Sequence, residues 1–276
     1  MIPVRTHAKL RLHTVALLFI ATILSHGTGF AQSKNAKLIV IAHRGDHTAA
    51  PENTIKSYDD AAATGVDYVE VDVRTSSDGQ LVVMHDGTVD RMTNGKGSVK
   101  DMNWEALQQL TVSDKNRPEL GNHRIPLFAD VLKACRGKVG IYLDFKDGDV
   151  AQTWQLIQSN HMEDHIVVYI NREEDLSRWQ KAAPKVPLMV SLPDNINDIQ
   201  SYLQFQKTAK VQIIDGSYRD YTPELVKAIN KNGQSIWVDV QEKGEDPSLW
   251  NKVRALGVQG MQTDHPRELI KWRDGK

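Results

Sequence analysis

The chain has 276 residues, and its contents of 40% hydrophobic and 25% charged residues are ordinary for a globular protein. Its formal net charge is −1 and it has no basic run, so the sequence predicts no nucleic-acid partner. With one cysteine, the chain cannot form an internal disulfide framework.

Residues 1–31 have the features of a secretory signal peptide. Arg5, Lys9 and Arg11 precede an apolar run, and Gly29-Phe30-Ala31 then place small residues where a signal peptidase cleaves. We therefore expect cleavage near Ala31, a periplasmic or secreted protein, and no stable membrane anchor afterwards. An uncleaved N-terminal anchor is the alternative.

The first strand is predicted at residues 38–42, a run of apolar, β-prone residues that ends at a turn. His43-Arg44-Gly45 follows, at the edge of an α/β fold where ligands bind. His43 can transfer a proton near neutral pH, and Arg44 can bind a phosphate through two hydrogen bonds. For this dipeptide alone, a solvated loop remains the alternative.

A helix is predicted at residues 52–64 and a second strand at residues 68–73. The Asp78-Gly79 turn after it is typical of antiparallel strands. We therefore expect a hairpin in which the returning strand ends at His85. This geometry would bring His85 to the same edge as His43.

Glu70 and Asp72 alternate along the second strand and therefore point to one face. Two carboxylates on a buried face repel each other, and a hard divalent cation with oxygen ligands resolves that conflict. The flanking valines indicate that both faces are covered. A pair of solvated surface acids is the alternative.

Residues 87–126 show no long periodicity and are predicted to be an insertion on the loop side of the fold. Beyond a helix at residues 127–135, strands and helices alternate regularly. Six further strands are predicted, at residues 139–145, 166–170, 187–191, 211–214, 235–240 and 260–263. Helices between or after them include residues 175–183, 223–232, 247–256 and 266–273.

Eight strands that are each followed by a helix predict an α/β fold, a (β/α)8 TIM barrel with a β-hairpin excursion and the insertion after its second strand. The whole of residues 32–276 is predicted to be one domain. An open doubly wound sheet is the runner-up, but the sequence has neither a Gly-x-Gly-x-x-Gly motif after the first strand nor a Walker A loop.

Asp144 and Lys146 repeat the alternation at the end of the strand at residues 139–145. Asp144 is a candidate third metal ligand and Lys146 a candidate phosphate contact, although the pair alone is equally consistent with an ordinary salt bridge. Together with His43 and His85, these groups would suit phosphoryl transfer. The cations stabilise charge on phosphoryl oxygens, and the histidines move protons.

The ordered motifs carry a resemblance that spans nearly the whole mature chain. They are His43-Arg44-Gly45, Pro51-Glu52-Asn53-Thr54, Glu70-x-Asp72, Asp78-Gly79, His85-Asp86, Thr93-Asn94-Gly95-x-Gly97, Asp144-x-Lys146, Trp237 and Thr263-Asp264. This set resembles the glycerophosphodiester phosphodiesterase family. The resemblance implies a TIM-barrel hydrolase that needs one divalent cation, Ca2+ or Mg2+, and releases glycerol 3-phosphate and an alcohol from deacylated phospholipids.

The resemblance also implies roles for single residues. His43 and His85 match the acid/base pair, and Arg44 and Lys146 match the phosphate contacts. The positions of the metal ligands are matched by Glu70 and Asp72, with Asp144 as the candidate third ligand.

Two departures from the family pattern stand out. Asp144 replaces the usual glutamate, and we expect its shorter arm either to shift the metal or to admit a water. Trp237-Val238-Asp239-Val240 stands where the family usually reads Trp-Thr-Val-Asn. Trp237 either forms a wall of the glycerol side of the pocket or packs in the core, and Asp239 would favour a cationic head group.

Two other functions remain open at this point. The substrate's own hydroxyl could attack phosphorus, so that the same fold would release a cyclic phosphate. A non-catalytic module that captures phosphorylated polyols would be expected to lack a histidine or a metal carboxylate, and this sequence has them all.

Overall fold

A computed structural model describes residues 37–275 of the chain, so the predicted signal peptide lies outside the described residues. The strands of this range are β1 (Ile39–Ala42), β2 (Tyr68–Thr75), β3 (Leu81–Val83), β4 (Thr111–Val112), β5 (His123–Arg124), β6 (Gly140–Phe145), β7 (Ile166–Ile170), β8 (Leu188–Ser191), β9 (Ile213–Asp215), β10 (Ser235–Asp239) and β11 (Gly260–Thr263). The helices are α1 (Ile55–Thr64), α2 (Trp104–Leu107), α3 (Phe128–Cys135), α4 (Val150–Ser159), α5 (Glu173–Ala182), α6 (Ile199–Ala209), α7 (Pro223–Lys231), α8 (Pro247–Ala255) and α9 (Pro266–Asp274).

Eight of these strands form a closed parallel barrel. Their order is β1-β2-β6-β7-β8-β9-β10-β11, and β11 pairs with β1 to complete the ring. Helices follow the barrel strands and cover them on the outside, so the predicted (β/α)8 TIM barrel is confirmed. The predicted hairpin is also present, because β3 runs antiparallel to β2 and pairs Val73 with Val83.

Alternation along the strands divides the core into layers. On β2, Val69, Val71 and Val73 pack outward in the main apolar cluster between barrel and helices. Inside the barrel, an apolar layer closes the lower part. Its buried members are Ile41, Tyr142, Val167, Met189, Ile213 and Trp237.

Helix α1 begins three residues later than the predicted start at residue 52. Thr54 is the N-cap: its side chain accepts a hydrogen bond from the Ser57 backbone N–H, and the Ser57 hydroxyl contacts the Thr54 backbone N–H in return. Asn53 has φ 56°, a left-handed conformation that cannot belong to the helix. The residues before Thr54 are therefore left in the loop at the barrel mouth.

The insertion has more structure than its sequence pattern indicated. Strands β4 and β5 pair as a small antiparallel sheet, and the region has an apolar cluster separate from the barrel core. Buried members of this cluster include Val89, Val99, Leu107, Val112 and Ile125. Within residues 37–275, no helix has both the length and the apolar character that a membrane crossing requires.

Candidate active site

A polar cavity of about 220 Å³ lies at the carboxyl ends of the barrel strands, the end at which TIM barrels carry their active sites. It is lined by His43, Glu70, Asp72, His85, Tyr142, Asp144, Lys146, Tyr169, Asn171, Ser191, Asp215, Asp239, Gln241 and Gln262. Six of the eight residues predicted for the site, His43, Glu70, Asp72, His85, Asp144 and Lys146, are therefore brought together in one cavity.

Three of the lining carboxylates form a compact group. Strands β2 and β6 pair so that Asp72 lies opposite Asp144, and Glu70 lies two residues before Asp72 on the same face. One oxygen from each of Glu70, Asp72 and Asp144 lies within 4.8 Å of the other two. Oxygen ligands at this spacing fit a hard divalent cation such as Ca2+ or Mg2+.

The electrostatics of this group show the cost of placing three acids together. Burial raises the pKa of Glu70 well above its usual value, and the charges of Asp72 and Asp144 raise it further. Burial and the charge of Asp72 also raise the pKa of Asp144. For Asp72, burial acts in the same direction, but nearby cations, above all Lys146, hold its pKa below the usual value.

Residues from the first loop orient the carboxylates. The Arg44 backbone N–H donates to Glu70 Oε2 at 2.8 Å, and Asn53 Nδ2 donates to Asp72 Oδ2 at 2.7 Å. Asn53 is itself fixed by the Tyr58 hydroxyl, which donates to Asn53 Oδ1 at 2.6 Å. Asn53 therefore links Tyr58 of α1 to Asp72, a candidate metal ligand, so the orientation of Asp72 depends on the position of α1.

Both histidines of the cavity are held at the same ring nitrogen. His43 Nδ1 lies 2.7 Å from Asp264 Oδ1, and His85 Nδ1 lies 2.7 Å from Asp86 Oδ1. A carboxylate only accepts hydrogen bonds, so each histidine donates from Nδ1. In each ring, Nε2 is left as the nitrogen that can exchange a proton with a substrate.

Both supporting carboxylates have a second partner. Asp264 Oδ1 also contacts His47 Nε2 at 2.9 Å; burial opposes ionisation, but the hydrogen bonds from His43 and His47 keep the pKa of Asp264 far below its usual value. Asp86 is bound at both oxygens by Arg91, and this contact, followed by that of His85, lowers its pKa strongly. Both acids are therefore ionised near neutral pH.

Arg44 and Lys146, the predicted phosphate contacts, are placed differently. Lys146 lines the cavity and lies 3.1 Å from Asp72 Oδ1, and it also binds Asp144. Arg44 is not among the described lining residues, because its guanidinium donates to Glu52 at 2.9 Å and lies 3.6 Å from Asp72. It has φ 54°, a left-handed conformation that is uncommon for a residue with a side chain.

Trp237 is not brought to the cavity. It is 1% exposed in the apolar layer inside the barrel, one layer below Asp239 on the same face of β10. Gly260 lies beside it on β11, and a Cβ there would come within 2.6 Å of the indole. Its position is that of the core-packing alternative, and the geometry does not support the predicted glycerol contact.

Several residues of the site were not assigned a role from the sequence. The Asn53, His47, Asp264 and Asp215 side chains belong to this group. Asp264 and Asn53 lie within motifs that carry the family resemblance, and this position was the sequence signal that could have identified them. Asp215 directly follows the strand predicted at residues 211–214, and alternation from buried Ile213 would have pointed it inward.

Comparisons with known proteins agree with this geometry. The sequence model of the Glycerophosphoryl diester phosphodiesterase family matches residues 43–268. The chain is 31% identical over 241 residues to the glycerophosphodiester phosphodiesterase of Caldanaerobacter subterraneus subsp. tengcongensis, covering 85% of this chain and 97% of that protein. It is 30% identical over 245 residues to the glycerophosphodiester phosphodiesterase of Bacillus altitudinis, covering 85% and 98% of the two chains.

The chain also superposes on solved structures over most of its length. The glycerophosphodiester phosphodiesterase of Agrobacterium tumefaciens str. C58 superposes with a TM-score of 0.75 at 28% identity, covering 84% of this chain and 99% of that one. An Oleispira antarctica phosphodiesterase in complex with the product sn-glycerol-3-phosphate gives a TM-score of 0.76 at 21% identity, covering 86% and 97%, and at that identity it supports the fold alone.

The charge balance at the cavity predicts the effect of Lys146→Met. Without the ammonium group, Asp72 and Asp144 lose their nearest cation, so we expect the free energy of unfolding to fall by about 3 kcal/mol in EDTA. Saturating Ca2+ or Mg2+ should restore much of the loss, because a bound cation replaces the missing charge. Thermal unfolding measures both effects.

Lys138→Met is the matched control. Lys138 pairs with Asp59 on the surface, where the two side chains are 53% and 44% exposed, so its loss should leave the melting temperature close to that of the wild type. Equal melting temperatures for the two variants in EDTA would contradict the proposed charge balance.

Proposed function

Because the chain belongs to the glycerophosphoryl diester phosphodiesterase family and is therefore a phosphoric diester hydrolase, we propose that it cleaves glycerophosphodiesters, the deacylated phospholipids, to glycerol 3-phosphate and an alcohol. We further propose that the reaction needs one divalent cation, Ca2+ or Mg2+, and uses His43 and His85 as its acid/base pair. The observation that carries the proposal is the meeting of both histidines with Glu70, Asp72 and Asp144 in one cavity.

The residues of the cavity have different roles in binding the phosphodiester. Glu70, Asp72 and Asp144 would hold the cation, which when bound supplies positive charge toward the phosphoryl oxygens. Lys146 adds a second positive charge at the same place: burial lowers its pKa, but the charges of Asp72 and Asp144 outweigh burial and raise the pKa above its usual value. The phosphate is thereby held beside the two histidine rings.

Proton transfer is assigned to the two free Nε2 atoms. One histidine accepts a proton from the attacking water as its oxygen bonds to phosphorus. The other donates a proton to the alcohol oxygen as the bond between that oxygen and phosphorus breaks. Asp264 and Asp86 keep the Nδ1–H tautomer of each ring and stabilise the charged form.

The first test measures glycerol 3-phosphate release from glycerophosphocholine after EDTA treatment and after addition of Ca2+ or Mg2+. We expect activity to be lost with EDTA and restored by one of the cations. His43→Ala and His85→Ala should each lower kcat by about 10²-fold or more, because proton transfer to or from a positioned side chain is lost.

Circular dichroism and cation binding should show that both histidine variants remain folded. Near-normal turnover in both would contradict the acid/base assignment. Phosphorus NMR of the product also distinguishes hydrolysis from attack by the substrate's own hydroxyl, since a persistent cyclic phosphate would indicate the second reaction.

A second prediction concerns Asp264→Asn. An amide can present its N–H to the ring and force the wrong tautomer on His43, so we expect kcat to fall by roughly 10- to 10³-fold with little change in KM. The pKa of Asp264 is lowered, so its stabilising contacts are complete above the unfolded value of about 4 and are lost only as pH falls toward the folded value. The loss of kcat should therefore persist throughout the neutral range.

Asp59→Asn, on the surface, is the control for this substitution and should keep wild-type kinetics. An Asp264→Asn enzyme with unchanged kcat and an unchanged pH profile would show that Asp264 does not position His43.

We also propose that residues 1–31 direct export and are removed near Ala31. The support is the sequence pattern of basic, apolar and small residues. Mass spectrometry of the protein recovered from the periplasm or medium should give Gln32 as the first residue, and Ala31→Lys should block processing. Recovery of the intact N-terminus in the membrane fraction would favour the uncleaved anchor.

A further inference from the structure

Two carboxyl groups of the cavity are not used by the site described so far. Five acidic side chains line the cavity, and three of them form the metal-binding group. The other two are Asp215, at the end of β9, and Asp239, at the end of β10. In the closed barrel, β9 lies directly across from β2 and β10 directly across from β6. These acids therefore lie on the wall opposite the metal-binding carboxylates.

This wall presents buried polar atoms that have no partner among the described residues. Asp215 is 4% exposed; its Oδ2 accepts from the Tyr142 hydroxyl at 2.9 Å, whereas Oδ1 makes no hydrogen bond. Gln262 is 7% exposed; its Nε2 donates to Asp239 Oδ1 at 2.6 Å, whereas Oε1 makes no hydrogen bond. Burying such atoms without partners is costly, and both residues line the cavity.

The chemistry of the wall favours a hydroxyl-bearing ligand. Burial and the charge of Asp239 raise the pKa of Asp215 well above its usual value. A hydroxyl can donate to Asp215 Oδ1 and Gln262 Oε1, the two buried atoms that have no partner. A quaternary ammonium group donates no hydrogen bond, so it would leave Asp215 Oδ1 and Gln262 Oε1 without a partner.

We propose that Asp215, Asp239 and Gln262 form a hydroxyl-binding subsite that holds a polyol portion of the diester while its phosphate lies at the opposite wall. The inference rests on the proposed function and adds to it the residues that select the substrate. Tyr142 links the two walls, because it is two residues before Asp144 on β6 and donates across the barrel to Asp215. The polyol is either the glycerol half or a hydroxylated head group.

Three substrates distinguish the glycerol half from the head group as the polyol that is bound. Glycerophosphocholine has free hydroxyls on the glycerol half only, glycerophosphoglycerol has them on both halves, and p-nitrophenyl phosphorylcholine has none. We expect Asp215→Leu to lower kcat/KM by at least tenfold for glycerophosphoglycerol, whichever half is bound, and to change it by less than twofold for p-nitrophenyl phosphorylcholine. A loss with both glycerophosphodiesters identifies the glycerol half, and a loss with glycerophosphoglycerol alone identifies the head group.

Asp215→Asn distinguishes hydrogen bonding from charge. An amide keeps one donor and one acceptor, so this variant should stay within about threefold of the wild type. Binding of a cationic group through the carboxylate would instead make Asp215→Asn as defective as Asp215→Leu, and that result would overturn the inference. Asp220→Leu, at an exposed position five residues further along, is the control and should behave as the wild type.

Calorimetry tests the subsite without turnover. Glycerol 3-phosphate should bind Asp215→Leu at least tenfold more weakly than the wild type, while ethyl phosphate, which has no hydroxyl, should bind both proteins equally. Equal weakening of both ligands would overturn the inference, and so would weakening of neither ligand together with unchanged hydrolysis of glycerophosphoglycerol. Absence of turnover with all three substrates and every cation would refute the proposed function, and the binding comparison would still decide on the subsite.

Discussion

The mutual repulsion of Glu70, Asp72 and Asp144 is the constraint on which the rest of the site depends. At this depth in a barrel three ionised carboxylates cannot lie together unless positive charge and hydrogen-bond donors surround them. The loop after β1 supplies a backbone N–H, and the residue after β6 supplies an ammonium group. The same balance explains why the cavity suits a divalent cation, because a cation removes the repulsion that the protein alone offsets in part.

The layered barrel interior sets the depth at which this chemistry takes place. On six of the eight barrel strands, a residue two positions before a cavity residue belongs to the apolar layer, as Ile213 precedes Asp215 and Trp237 precedes Asp239. The apolar layer closes the barrel from below, so a substrate reaches the carboxylates only from the loop side. The charged groups of the cavity therefore lie on the loop side of the apolar layer.

The sequence predicted features that depend on neighbouring residues of the chain better than contacts between distant segments. Alternation along β2 was enough to predict Glu70 and Asp72 on one inward face, and the Asp78-Gly79 turn was enough to return His85 to the mouth. Trp237 was ambiguous because alternation gives the face of a residue but not its depth. The contacts of Asn53 and Asp264 were out of reach, since they join side chains from separate loops whose positions only the closed barrel determines.

Ion pairs connect the insertion to the loops at the mouth of the barrel. Arg91 belongs to the insertion, and it binds Glu52 from the first loop at both oxygens and Asp86 beside His85 at both oxygens. Glu52 in turn binds Arg44. Because the insertion packs around an apolar cluster that also includes Val82 and Met84 of the hairpin, Arg91 lies on a packed unit rather than on a free loop. The position of His85 therefore depends on packing within the insertion as well as on the hairpin that delivers it to the cavity.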